Sequence, residues 1–496
     1  RRGSAISIGV LLAFAAFARG AHDLWAATAV YFAVTALFLS VLRGCAREVA
    51  GSLRLPLLPA ALAVAAAVGL SFHHAANPAD AFLSAMDWLF ALLVFYAAVN
   101  ALAPEDSSDA LLFVLVPCLW IEFAETIRQI FMTNQVEKMG TLVNANLLAA
   151  FVLPWAVLFS AKALAEWKGG RARRFAWAAG AVAAIGCLAQ ARSGAAWICF
   201  LFGLTVLLAR FPVPRLLKPA ARHWRAVAGV AAFISAWIVF DKFTRVYGNL
   251  NSDSNDRFFW WRSAWLMFKD HPWLGVGPGN FPSAYLAYKV GGKENTLFAH
   301  SVPLSWLAEM GAAGFSALMV FLAAWLREVR AGWENGEVRR EYVPAVLAVF
   351  LFYTVSIGPE YLVNLLSLSV LMAAAIAPGR GSVARVRPFF VLAAAGAALA
   401  AAPFLAAPFL AGRARADGEA RLAEKAWDEA RRSFENAIAM DPRPWEPYAA
   451  LARIEFERGD AAAAAVFQRR ALERNRLDAR LKAGLAVYLA SQAREP

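Results

Sequence analysis

The sequence predicts an all-α polytopic membrane protein with about 12–13 transmembrane helices, followed by a small α-helical repeat domain. Three observations carry that prediction. The 496 residues are 60% hydrophobic with a mean hydropathy of +0.50, well above the share a soluble domain carries. Apolar runs of 17 to 24 residues recur along the chain, each long enough to cross a hydrocarbon core of about 30 Å. The excess of positive charge, +13 overall, sits mostly in short loops between those runs, which fits membrane orientation better than nucleic acid.

Thirteen candidate spans follow, at roughly 5–20, 23–42, 55–73, 81–102, 109–131, 142–164, 174–190, 194–210, 225–241, 301–326, 342–358, 361–378 and 388–411. No cleavable signal peptide is expected, since the first apolar run follows Arg1 and Arg2 directly. The loops RGCARE, KGGRARR, RFPVPRLLKPAARHWR, REVRAGWENGEVRR and GRGSVARVR hold the basic residues. With a cytoplasmic N-terminus, strict alternation places all five inside, as the positive-inside rule requires. One loop, PEDSSD (104–109), is acidic on that same side. Cys45, Cys118, Cys187 and Cys199 lie in or beside apolar runs and show neither metal-ligand nor disulfide spacing.

The same alternation gathers other segments on the outer face: His73–Asp80, the end of the fifth span near Glu125 and Arg128, the turn AQARSGAA (189–196), the loop 242–300, the turn IGPEY (357–361) and everything after about 412. The transmembrane domain is therefore expected over 1–411, with a large outward loop at 242–300. Residues 412–496 read as tetratricopeptide-like repeats: Ala452, Ala464 and Ala471 recur 34 residues after Gly418, Ala430 and Ala437, and small residues at such spacing let paired helices approach closely. The last span is expected to run straight into the first repeat helix.

The loop 242–300 is too long to be a mere connector. Within it, Arg257 to Lys269 has helical spacing, with Trp261, Trp265 and Phe268 on one face, as in a helix lying at the outer interface. Arg257 and Arg262 are five residues apart and point in different directions. Gly275, Gly277 and Gly279 follow, without the strand or spacing of a nucleotide-binding loop. Asp253 and Asp256 read as a turn or helix cap more readily than as metal ligands. Arg192 sits in a tight turn beside small residues, so it is either an interfacial arginine or an accessible cation. Glu122, Glu125 and Arg128 lie inside the fifth span, where charge is costly, and hint at a cavity or at an internal ion pair. His300 closes the outer loop just before a span and is a candidate proton acceptor.

Arginines and a histidine facing outward beside a lipid interface suit one chemistry. Guanidinium groups bind diphosphate oxygens bidentately and stay charged. Fixed cations stabilise the charge that develops when a sugar leaves a lipid diphosphate. The acceptor hydroxyl then needs a base.

These residues resemble a known family. DRFFWWRSAWLMFKDHPWLGVGPGNF followed by AHSVPLSWLAEMGAAG is similar to the core signature of the O-antigen ligase and polymerase superfamily, and QARSGAAW resembles its outward arginine turn. The likeness covers about 185–320, and the many-span architecture extends it to about 410. It implies a membrane glycosyltransferase of the GT-C type in the bacterial inner membrane, working at the periplasmic face. Such enzymes use an undecaprenyl diphosphate-linked glycan donor, invert the anomeric centre and need no metal or other cofactor. By resemblance Arg192 and Arg257 bind the diphosphate, His300 activates or positions the acceptor, and Arg262 is a weaker counterpart. Glu125 and Arg128 are further candidate substrate-binding residues. The sequence departs from the family in its thirteenth span, its repeat tail and Ser301, where asparagine is more usual. The acceptor is then lipid A–core or a growing polysaccharide, with a protein Ser or Thr as the alternative; membrane lipids and a protein held by the repeats are the other expected partners, and nucleic acid is not one. A transporter or flippase for a lipid-linked glycan, or a scaffold working through its tail, are the readings from other classes; midplane charges or an internal duplication would favour the transporter.

Overall fold

The computed structural model describes residues 1–47, 52–132, 138–166, 170–210, 256–291, 295–335, 339–376 and 382–493. Among them are eighteen α-helices and one pair of short strands. The expected ninth span at 225–241, the loop up to 255 and Asp253 lie outside the described residues. The fold is all-α and polytopic, as expected. Seven helices are long and apolar enough to cross a membrane, and five shorter apolar helices accompany them.

The bundle comprises α1 (Arg2–Phe17), α2 (Leu24–Arg47), α3 (Leu58–His73), α4 (Pro78–Ala101), α5 (Glu105–Met132), α6 (Ala145–Ala165), α7 (Arg171–Ala191) and α8 (Gly194–Arg210). Beyond the outer segment come α11 (Val302–Glu334), α12 (Tyr342–Tyr353), α13 (Leu362–Ala375) and α14 (Pro388–Ala423). Helix α6 is the centre, with 83% of its apolar window buried, whereas α14 has 6% and presents Leu392, Leu399 and Phe404 outward. With one face of every such helix available to hydrocarbon, apolar sequence alone does not say which helix is central; packing does.

Loops fall at two ends, as alternation requires. At one end β1 (Ser52–Leu55) pairs antiparallel with β2 (Ser382–Arg385), joining segments more than three hundred residues apart. The acidic loop finds its partners at this end: Lys162 Nζ lies 3.2 Å from Asp109 and 3.3 Å from Glu341, and Arg173 reaches Asp106 and Asp109. Its charge is balanced by neighbouring basic residues, so the acidic sign there is no anomaly.

At the other end lie the outer helices α9 (Asp256–Asp270) and α10 (Phe281–Tyr288), and the tail. Helix α14 continues without a break from its apolar part to Ala423, so the expected boundary at 411 falls inside one helix. Helices α15 (Trp427–Met440), α16 (Glu446–Glu457), α17 (Ala461–Arg474) and α18 (Ala479–Gln492) follow. Ala430, Phe434, Ala437, Ala452, Ala464 and Ala471 are all buried there, and a Cβ on Gly418 would meet the Phe434 ring at 2.8 Å. The small residues mark close helix approaches. The tail also docks back on the bundle: Arg443 lies 3.5 Å over the Phe82 ring, and Arg476 donates from its backbone N to Ala76 O and from Nη2 to Ala75 O.

Two details differ from expectation. The tenth span does not stop near 326 but stays helical to Glu334, drawing REVRAGWE into α11. It is also not one continuous helix: Gly311, at φ 62° and ψ −166°, breaks it. Only glycine adopts that backbone region freely.

Candidate functional site

The break at Gly311 organises the outer segment. It frees backbone donors of the next turn, and the loop after α9 accepts them: Ala312 N bonds to Pro272 O and Ala313 N to Trp273 O. In return Val276 N bonds to Ala308 O and Gly277 N to Glu309 O. The two segments lie so close that a Cβ on Gly311 would sit 2.4 Å from the Trp273 carbonyl carbon. The buried Glu309 carboxylate adds two further bonds, accepting from Phe281 N and Gly279 N at 3.0 Å each and so capping α10. Helices α9, α10 and α11 are thus one unit, and Arg257 on the first is registered against His300 just before the last.

Helix α9 begins at Asp256, whose charge suits a helix N-terminus, and ends at the His271–Pro272 pair. It buries Asp256, Trp260, Ser263, Ala264 and Met267. The Trp261, Trp265 and Phe268 face is turned outward, with Trp265 exposed, together with Arg262. Both faces carry aromatic residues, so periodicity gave the helix but not its buried side.

Arg257 is half-buried, and its Nη1 donates to Val355 O at 3.3 Å. Burial holds its guanidinium below the ordinary value, yet it stays charged at neutral pH. His300 stacks on Trp260, ring centroids 4.7 Å apart and 28° from coplanar, and its Nδ1 has no hydrogen-bond partner among the described residues. Burial first, and Arg257 second, push the imidazole down to about 4. It is therefore neutral at pH 7, with a lone pair free to accept a proton. His300 sits at φ 53° and Arg192 at φ 51°, the left-handed region that costs a side-chain-bearing residue on the order of 1–3 kcal/mol. Two candidate residues thus hold strained backbones.

Arg192 ends α7 and is exposed. Its turn joins the same end of the bundle through Lys138 N, which donates to Gln190 O at 3.2 Å. Glu125 and Arg128 pair with each other through two 2.7 Å bonds, and Gln129 adds a third bond to Glu125. Glu122 is not part of that pair. It accepts from Thr141 N and the Thr141 hydroxyl, fixing the loop before α6. The polar cluster of α5 is therefore an ion pair beside a loop clamp. The structure brings Arg257 and His300 together; Arg192, Arg262 and the Glu125–Arg128 pair lie at the same end without a bond to either.

Residues that sequence reasoning did not single out complete the site. Trp260 is the platform for His300, Val355 anchors Arg257, and Glu309 holds the glycine loop. Tyr361 lies 5.5 Å from both the His22 and Phe298 rings, and Glu360 beside it accepts from Gly358 N at 2.7 Å. The turn IGPEY was placed on this face, and its buried carboxylate was the signal available. An apolar cavity of about 370 Å³ runs between α3, α4, α11, α12 and α13, from Leu326 and Met372 to Pro303, Thr354 and Pro359. Its outer mouth adjoins Val355 and so the Arg257 anchor.

No curated protein matches the chain. Residues 179–319, a stretch that includes Arg192, Arg257, Arg262 and His300, match the model of the O-antigen ligase family.

Proposed function

We propose that this protein transfers a glycan from an undecaprenyl diphosphate carrier to an acceptor hydroxyl at the periplasmic face of the bacterial inner membrane. One observation carries the reading: a half-buried guanidinium and a neutral imidazole, its Nδ1 without a partner among the described residues, share one site, and an apolar cavity is lined by their chain neighbours Val302 and Thr354. The cavity suits a prenyl tail, and Arg257 lies where the diphosphate would follow it. Arg192 and Arg262, exposed at the same end, are the further cations that can reach phosphate oxygens. Glu125 and Arg128 are paired with each other, and the exposed Arg128 keeps Nη1 for a phosphate oxygen.

In the step itself the acceptor hydroxyl attacks the anomeric carbon from the side opposite the diphosphate. The new C–O bond forms as the bond to the carrier oxygen breaks, inverting the centre. The bonding electrons go to the diphosphate, whose charge the arginines stabilise, and the hydroxyl proton goes to His300. No metal is needed in this scheme, because the guanidinium groups carry the compensating charge. The acceptor is lipid A–core sugar or a growing polysaccharide; a protein hydroxyl is the alternative. A flippase is less well supported, since the candidate charges gather at one end of the bundle rather than at mid-depth.

The test is incubation of purified protein with a defined carrier-linked oligosaccharide and candidate acceptors, read by product mass and anomeric configuration. Arg257→Ala should lower transfer by about 100-fold or more, in line with loss of one transition-state donor, while inserting normally. Full activity in that variant would refute the diphosphate role.

A further inference from the structure

A second set of cavities lies on the far side of the Tyr361 ring, between the bundle and the tail. The outer one, about 200 Å³, is walled by Ala79 and Asp80 of α4 and by Arg415, Asp441 and Glu446 of the tail. The inner one, about 80 Å³, is lined by His22, Tyr31, Asp87, Glu360 and Tyr361. Leu24 and Leu83 line both, so the two are neighbours on either side of these side chains. Asp80, Leu83 and Asp87 fall at i, i+3 and i+7 on one face of α4, which forms the floor.

The polar groups of this cleft are only partly engaged. Asp80 accepts from Asn77 and from Ser283 Oγ, and Asp87 accepts from Tyr31 OH at 2.6 Å. Arg415 is taken up by Glu446 at 2.8 Å. Glu360, a lining residue of the inner cavity, uses Oε2 for Gly358 N, while Oε1, sealed from solvent, has no hydrogen-bond partner among the described residues. Burial pushes this carboxyl up, which is the cost of leaving it without a donor. The inner end is also next to the reacting groups: Tyr361 touches Phe298, two residues before His300.

We propose that this cleft is the acceptor subsite, and that it takes an uncharged or amino-bearing saccharide and rejects an acidic one. The inference rests on the transfer reading, because an acceptor hydroxyl must reach His300. Carboxylates accept hydrogen bonds from sugar hydroxyls and ammonium groups, and the exposed His22 ring lies beside them for the apolar side of a pyranose. Asp441 is paired with Arg443 and Glu446 with Arg415, which leaves Asp80, Asp87 and Glu360 without a basic partner among the described residues. A uronate or phosphate entering there would find these three carboxyls and no free cation among the described residues to offset its own charge. The tail makes half the outer wall, so it acts in acceptor selection.

The test is binding, measured without donor on the full chain in detergent, to a panel of neutral, amino and uronic-acid hexasaccharides and a lysine-rich decapeptide. A neutral or amino member should bind at least ten-fold more tightly than its uronate counterpart. Glu360→Gln, nearly isosteric, and Leu83→Trp, which enlarges a side chain that lines both cavities, should each weaken that binding ten-fold or more with an unchanged melting temperature. Preference for uronate, binding of no saccharide, a peptide that outcompetes every sugar, or variants that bind like wild type would overturn the proposal. Undecaprenyl diphosphate binding is measured in parallel. A wild type that binds the saccharide selectively but not the carrier would sink the transfer reading and leave the cleft standing.

Discussion

The buried imidazole gives a prediction that needs no knowledge of the substrate. His300 titrates at about 4 in the folded protein, against about 6.5 in an unfolded chain. Above pH 6.5 it is neutral in both states and contributes nothing. As pH falls below 6.5 the unfolded chain takes up the proton and the folded one does not, so stability is lost down to about pH 4, where the loss levels off. Each unit of difference is worth about 1.4 kcal/mol, so the total is about 3 kcal/mol. The perturbation is His300→Gln, which removes this titration and no other. Unfolding of both proteins in the same detergent at pH 7, 6, 5 and 4 isolates the term as a difference, because every carboxylate titrates in both. The wild type should lose about 3 kcal/mol relative to the variant between pH 7 and pH 4. Burial is the larger cause, so Arg257→Gln should recover only the smaller part of it. Parallel pH profiles for wild type and variant would refute the buried, neutral His300 and with it the assignment of the base.

Gly311→Ala places a Cβ 2.4 Å from the Trp273 carbonyl in a backbone region closed to alanine, and should cost several kcal/mol, seen as a lower melting temperature together with loss of transfer. Trp260→Ala removes the platform under His300 and admits water; kcat should fall about ten-fold, and the wild-type excess acid loss should shrink as the imidazole returns toward its ordinary value, both checked by initial rates and by the pH series above. Arg443→Ala removes a cation–π contact worth about 1 kcal/mol between tail and bundle, and should speed limited proteolysis of the tail without altering insertion.

Much of the fold was legible because the bilayer writes its thickness into the sequence. Spans such as 142–164 and 388–411 lie inside helices Ala145–Ala165 and Pro388–Ala423 to within a turn, and Glu125 and Arg128 at i, i+3 meet as helical spacing requires. The helix of the outer loop was legible to within a residue at each end. What escaped depends on partners distant in sequence. SLRL and SVAR are too short to announce strands, and only their pairing across the chain makes them so. The break in α11 hinges on one glycine among many, and its reason is the Trp273 carbonyl, thirty-eight residues earlier. Within the site, the arginines and His300 stood out as charged groups beside apolar spans. Trp260 and Tyr361 did not, since one more aromatic residue in a chain with 18 Trp and 36 Phe carries no signal until its neighbours are known.

Helix α14 has a mechanical consequence. Its 36 residues span about 54 Å, of which the dozen after Ala411 rise about 18 Å beyond the apolar part. The helices that follow return to the bundle, where Arg443 lies over Phe82 and Arg476 bonds to Ala75 and Ala76, so whatever meets the tail meets it standing over the start of α4.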